Sequence, residues 1–337
     1  MTDIGQIPAP GPATQAAGGH RRLLASSGPA ELYALARRVL GLQYLNPADF
    51  TPAVTAEDTA RLQALSRAAR GPAPPPILVF GVMPRSGTNF VRDVLALHAH
   101  VAPDPGRIYE FPLLHAAGSA RAHMDRFLAM FPRNTEVLSR WDALALLAGA
   151  WLRVLQGEAG DRRILLKCPH VQNLSLAPLI FPDAKLVLVL RDGRDVLDST
   201  LNTFSRRSLA RKTFAQLARE WALGAEAMVR VASADTSPHI HLLRYEALVE
   251  EGGPAVERLL RAVDLDPAGF DFDGFAALPV RGSSRAQAED ATRWDPQARG
   301  ADFKPVARWK SWDAKRKARF DKIAGAALEA AGYDRGT

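Results

Sequence analysis

Apolar and polar positions along the 337-residue chain fall into two alternating kinds of run. Short apolar stretches at 77–82, 163–167 ("RILLK"), 185–190 ("KLVLVL") and 239–243 ("HIHLL") predict strands. Longer stretches with apolar residues three and four apart, at 88–98, 143–156, 194–204, 212–233, 254–263 and 314–331, predict helices. The Leu/Val run at 185–190 does not alternate with polar residues, so it predicts a central parallel strand buried on both faces. Strands and helices in this order imply βαβ units: an α/β, three-layer α/β/α domain with a central parallel sheet. Ligands of such sheets bind at the C-terminal ends of the strands, where Arg85 and Arg191 stand.

The pattern is different before residue 77. Residues 1–20 are rich in Pro, Ala and Gly without periodicity, which predicts a disordered tail. Two helical patterns follow, "PAELYALARRVLGL" and "AEDTARLQALSRAAR", and "GPAPPP" at 71–76 then punctuates the chain. Residues 21–76 therefore read as a helical appendage with a Pro-rich linker, and 77–337 as the main domain.

Composition narrows the class. With 47% hydrophobic and 23% charged residues, the chain can bury a full core. The net charge is +7, and residues 281–337 carry 13 basic against 8 acidic side chains. The two signs are interleaved there, as in "WDAKRKARFDKI". That suits a solvated helix face or a small anionic ligand, and no nucleic-acid partner is expected. Cys168 is the only cysteine, so neither a disulfide framework nor a cysteine metal site is available. The eight histidines show no His-Glu-x-x-His pattern, and the pairs His98/His100 and His239/His241 read as structural or surface residues. No apolar run is long enough to span a membrane and no secretory signal stands at the N-terminus. A cytoplasmic protein without bound metal is the expectation.

Chemistry concentrates after two of the strands. In "VFGVMPRSGTNFVRD" (79–93) a strand breaks at Pro84, passes through Arg85, Ser86, Gly87 and Thr88, and enters a helix. Backbone N–H groups and the helix dipole favour an anion at such a turn, and Arg85, Ser86, Thr88 and Asn89 add donors. The loop is P-loop-like in its setting but lacks G-x-x-x-x-G-K-[ST]. Taken alone, it could equally be a capped turn with a surface arginine. In "LVLVLRDGRDVLDS" a buried strand ends at Arg191, and Ser199 lies two helical turns further on. That stretch fits a second phosphate site, or an Arg–Asp cluster capping a helix through Asp192 or Asp195. Two anion sites on one sheet describe a ligand with phosphate at both ends.

These two motifs resemble those of the PAPS-dependent sulfotransferases, most nearly the bacterial and tyrosylprotein-like branch, and the likeness covers most of residues 77–312. The resemblance implies the family's P-loop-like fold and sulfuryl transfer from 3′-phosphoadenosine 5′-phosphosulfate (PAPS). The first loop would hold the 5′-phosphosulfate, and Arg191 with Ser199 the 3′-phosphate. Phe90 matches the position whose ring stacks on adenine, and Tyr245 of "LRYEALVE" would lie near it. "VRGSSRAQ" and "FKPVARWKSW" resemble the late segment that folds over the donor, with Ser284 and Lys304 as candidates and Trp309 as packing. Glu110 in "GRIYEFPLL" is similar in placement to the family's glutamate base, with partial burial between Tyr109 and Phe111 expected. Lys167 matches the lysine that stabilises the bridging oxygen, helped by Arg85.

His170 in "KCPHVQN" competes as the base, and Asn89 stands where the family usually has threonine. The region 111–156 should form much of the acceptor pocket, with "WDALALLAGAWLRVL" a core helix and "HAAGSARAHMDR" polar and mobile. A small molecule, carbohydrate, lipid or peptide would each serve as acceptor. Two other readings stay open: an ATP-dependent phosphotransferase, marked by a Mg²⁺ requirement, and a nucleotide-binding module without turnover.

Overall fold

The structure is a computed structural model that describes residues 54–111, 113–203, 212–234, 239–279 and 304–336. Except for Lys212 and Thr213, these belong to one compact unit made of residues 45–205 and 214–337.

Helix α1 (Ala56–Arg70) opens the described chain, capped by the Thr55 side chain, which accepts from Asp58 N. Strand β1 (Ile77–Gly81) leads through a loop into α2 (Thr88–Leu95), and β2 (Val101–Pro103) follows. Two long helices, α3 (Leu113–Met130) and α4 (Asp142–Ala159), precede β3 (Arg163–Cys168) and the short α5 (Ala177–Ile180). Next come β4 (Lys185–Leu190), α6 (Gly193–Thr203), α7 (Phe214–Ala234) and β5 (Ile240–Arg244). The chain then adds α8 (Tyr245–Glu250), α9 (Gly253–Ala262), α10 (Phe272–Ala276) and α11 (Ala314–Ala330).

Among the described residues the five strands form one sheet in the order β2-β3-β1-β4-β5, every pair parallel. The two-residue period of a strand sorts its side chains between two cores. Leu78, Phe80, Leu186 and Leu188 join Trp141, Trp221 and Phe320 on one face. Ile77, Val79, Val187 and Val189 meet Val91, Leu95, Leu259 and Leu260 on the other. All six residues of β4 are buried, as its unbroken apolar run requires. This is a three-layer α/β/α domain with a P-loop-like strand–loop–helix at its centre.

Two elements depart from the sequence expectation. The stretch containing "HAAGSARAHMDR" is not a mobile segment but lies in helix α3. Leu113, Leu114, Ala117 and Met124 bury one side of it, and its small and polar residues had diluted that signal. Strand β2 has only three residues, too few for a periodicity to show. Helix α1 packs on α4 so closely that a Cβ on Gly149 would lie 2.5 Å from Ser66 O, and Arg61 pairs with Asp142 at 2.5 Å. The helical pattern "PAELYALARRVLGL" lies outside the described residues.

Candidate active site

Three neighbouring strands deliver their C-terminal ends to one place. β1, the central one of the three, feeds the anion loop; β3 beside it ends at Lys167 and Cys168; β4 on the other side leads into Arg191. The chain order reverses across β1, which is where open α/β sheets take their ligands.

The loop turns sharply, with Ser86 N donating to Met83 O at 3.2 Å. Arg85 has φ 78° and Gly87 φ 97°. A non-glycine residue in that region costs about 1–2 kcal/mol; the Arg85 carbonyl is held there by Arg191 Nη1, which donates to it at 2.8 Å. Gly87 has no substitute, because a Cβ would sit 2.3 Å from Tyr245 Cδ2. Helix α2 then starts with no side-chain cap and no acidic residue in its first turn, which leaves its N-terminal dipole open to an anion.

The two motifs meet. Arg85 Nε donates to Ser199 Oγ at 3.1 Å, and the Arg191 guanidinium lies 4.5 Å from the centre of the Tyr245 ring. Phe90 meets Tyr245 edge-on at 5.8 Å and Phe275 at 6.4 Å. Burial, then the neighbouring charges of Arg191 and Arg308, push Arg85 down to about 10. The helix-capping alternative holds as well, since Asp192 Oδ1 accepts from Arg194 N at 2.9 Å.

Ser86 Oγ, Arg191 Nε and Lys167 Nζ are buried polar atoms with no hydrogen-bond partner among the described residues. Buried donors are normally satisfied, and a multiply charged anion spanning the three strand ends would supply the missing acceptors.

Lys167 is 2% exposed. Its ammonium lies 3.8 Å from Glu110 Oε1 and 3.7 Å from the centroid of the Tyr109 ring. Burial pulls Lys167 below the ordinary lysine range, with Glu110 and Asp104 opposing. Phe111 N donates to Lys167 O at 2.8 Å, which holds the 109–111 strip against the end of β3. Glu110 is not enclosed between two aromatics as expected: its side chain is 46% exposed, and of its neighbours only Phe111 is buried. Phe111 turns inward against Trp151 and Phe181, so the carboxylate before it faces outward. His170 is half-buried and meets His115 edge-on at 5.3 Å. Burial lowers His115, with Glu110 opposing.

The remaining expected residues are placed as follows. Asn89 donates to Tyr109 Oη at 3.0 Å, Thr88 is buried at the start of α2, and Lys304 is exposed. Ser284 lies outside the described residues. Trp309 is buried, with the Arg194 guanidinium 3.5 Å from its ring centre.

Sequence reasoning missed what fastens the late segment. Arg191 Nη2 donates to Pro305 O at 2.6 Å. Asp195 is fully buried and accepts from Ala307 N at 2.7 Å and Trp309 N at 3.1 Å. Asp198 accepts from Trp312 Nε1 at 3.1 Å and pairs with Arg308 at 3.3 Å. Asp195 and Asp198 lie one turn apart on α6, a spacing that could have marked a shared face; nothing in the sequence named their partners.

A sequence profile of the sulfotransferase family matches residues 75–268, more than half of the chain. The chain belongs to that family. The matched region holds both anion motifs, Glu110, Lys167 and Tyr245, and ends before the late segment. Similar solved structures include the sulfotransferase domain of the Synechococcus PCC 7002 olefin synthase, at 18% identity over 78% of this chain and 97% of that one, with TM-score 0.49. The sulfotransferase domain from the curacin biosynthetic pathway has 16% identity over 78% and 99%, with TM-score 0.42. Mouse sulfotransferase SULT7A1, in complex with PAP, has 12% identity over 80% and 88%, with TM-score 0.42. No curated protein matches. Sulfuryl transfer in general follows from the family; donor and acceptor have to be argued from the residues.

Proposed function

We propose that this sulfotransferase takes its sulfuryl group from PAPS and passes it to a hydroxyl, or less readily an amine, releasing 3′-phosphoadenosine 5′-phosphate (PAP). The observation that carries the reading is the contact of Arg85 with Ser199, which joins the 5′- and 3′-phosphate motifs into one site. Arg191 and Ser199 would bind the 3′-phosphate. The loop 85–89 and the open N-terminus of α2 would take the 5′-phosphosulfate, with Phe90 and Tyr245 beside the adenine.

PAPS supplies the activated sulfuryl group. Glu110 takes the acceptor proton as its oxygen bonds to sulfur, and the bond from sulfur to the bridging oxygen breaks. Lys167 and Arg85 put positive charge where that departing oxygen becomes anionic. The positive charge comes from side chains, so the reading needs no metal. His170 remains the second candidate base, because it is half-buried beside His115, three residues after Lys167. The acceptor class stays open among small molecule, carbohydrate, lipid and peptide. A catalytic domain from residue 77 and a cytoplasmic site of action belong to the same proposal.

Calorimetric titration with PAP and with ATP, each with and without Mg²⁺, tests it. Tight, metal-independent binding of PAP alone is the expected result. A preference for ATP with Mg²⁺ would overturn the donor assignment in favour of a phosphotransferase.

A further inference from the structure

The ammonium of Lys167 is almost sealed from water yet makes no hydrogen bond among the described residues. An isolated buried ammonium is costly and tends to lose its proton. The charged and titratable groups around it are the Glu110 and Asp104 carboxylates, the Cys168 thiol and the Arg92 guanidinium. Glu110, 46% exposed, pairs with Nζ at 3.8 Å, and Arg92 is itself paired with Asp104. Beside that ion pair, Nζ lies against the face of Tyr109, whose centroid is 3.7 Å away. A π-face at that distance favours the charged ammonium.

The ring is anchored rather than loose. Its hydroxyl accepts from Asn89 Nδ2 at 3.0 Å, in the first turn of α2. The strip that carries it is pinned to β3 by Phe111 N donating to Lys167 O at 2.8 Å. Asn89 therefore ties the anion loop, through Tyr109, to the lysine at the end of the neighbouring strand.

We propose that Tyr109, tethered by Asn89, is a positioning residue for Lys167: its ring holds the ammonium charged and in place at the end of β3. The catalytic consequence rests on the role proposed above for Lys167; the physical contact does not.

The test is a stability cycle on the full chain, followed by a pH profile. Tyr109→Leu should lower the thermal midpoint in the wild-type background and much less in a Lys167→Met background, while Tyr109→Phe, which keeps the ring but loses the Asn89 tether, should show a smaller loss than Tyr109→Leu. An equal loss in the two backgrounds would make the ring ordinary packing and overturn the proposal. Conversion of PAPS to PAP, with water as the trial acceptor, reads the catalytic part. Tyr109→Leu should slow it about 3- to 30-fold and move the alkaline limb to lower pH, with Tyr109→Phe, which keeps the ring but not its tether, moving it less. An unmoved limb in Tyr109→Leu would overturn the positioning role. If Lys167→Met converts PAPS like wild type, the catalytic reading of Lys167 falls, whatever the stability cycle returns.

Discussion

Arg85 Nε donates to Ser199 Oγ at 3.1 Å across 114 residues of sequence. Neither residue could be placed near the other from its own motif, since each motif has a plausible structural reading alone. The contact ties the loop after β1 to the helix after β4, and Arg191 adds a second tie by donating to the Arg85 carbonyl.

Arg191→Ala should therefore weaken PAP binding about 10- to 100-fold, the loss of roughly 1.5–3 kcal/mol from bonds to a charged group. Ser199→Ala should cost less, and the double variant less than the sum, because the two share one ligand and one loop. Titration calorimetry reads all three. Wild-type affinity in Arg191→Ala would remove the 3′-phosphate from this site.

Asp195 serves a different purpose from its neighbours on α6. Buried and accepting two backbone amides of the 307–309 stretch, it seats the late segment against the helix that carries Ser199. Leaving both amides without an acceptor costs about 1–3 kcal/mol each where they stay buried. Asp195→Ala is expected to speed hydrogen exchange at Ala307 and Trp309 and to weaken PAP binding through Arg191, whose Nη2 donates to Pro305 O in that segment. Unaltered exchange at these amides would show that other contacts seat the segment.

Much of this fold was legible because local pattern and tertiary role agree. The unbroken Leu/Val run of β4 could only be a central strand, and all its residues are buried. The apolar run ending at Arg191 marked a strand end and the helical pattern after it placed Ser199 on the next helix; their pairing came from the family resemblance. What stayed hidden depended on partners distant in sequence. Arg308, paired with Asp198, lies near enough to Arg85 to act on its charge, and Tyr109 covers Lys167 next to an inward-turned Phe111. Helix α3 escaped notice because four buried residues in an 18-residue helix rich in alanine leave a weak periodicity.

Glu246 gives the fold a pH dependence whose sign can be stated. Its buried carboxylate accepts from Asp192 N at 2.9 Å and Tyr333 Oη at 2.9 Å, and burial raises it above the ordinary carboxylate range. The folded state thus binds this proton more tightly than the unfolded chain. Its contribution is full below the unfolded carboxylate range and is lost as pH climbs through the folded value. Glu246→Gln has no such proton and can keep both contacts. The wild-type midpoint should fall relative to Glu246→Gln as pH rises from the ordinary carboxylate range upward, and hold steady below it. Thermal melts of both proteins across that window check it; a constant difference would mean the carboxylate is not shifted.

The last prediction separates the two candidate bases. Glu110 lies 3.8 Å from Lys167 Nζ with its side chain 46% exposed, whereas His170 is half-buried against His115. A general base contributes about 10²–10⁴-fold, so Glu110→Gln should cut turnover on a reactive acceptor by that factor. It should leave PAP affinity near wild type, because on the proposed reading the carboxylate would meet the acceptor and not the bisphosphate. His170→Gln should change turnover only a few-fold if its ring does no more than pack on His115. Parallel measurement of kcat and of the PAP dissociation constant in the two variants decides the matter. Loss of turnover in His170→Gln with Glu110→Gln still active would move the base to the imidazole and leave Glu110 as the counter-charge of Lys167.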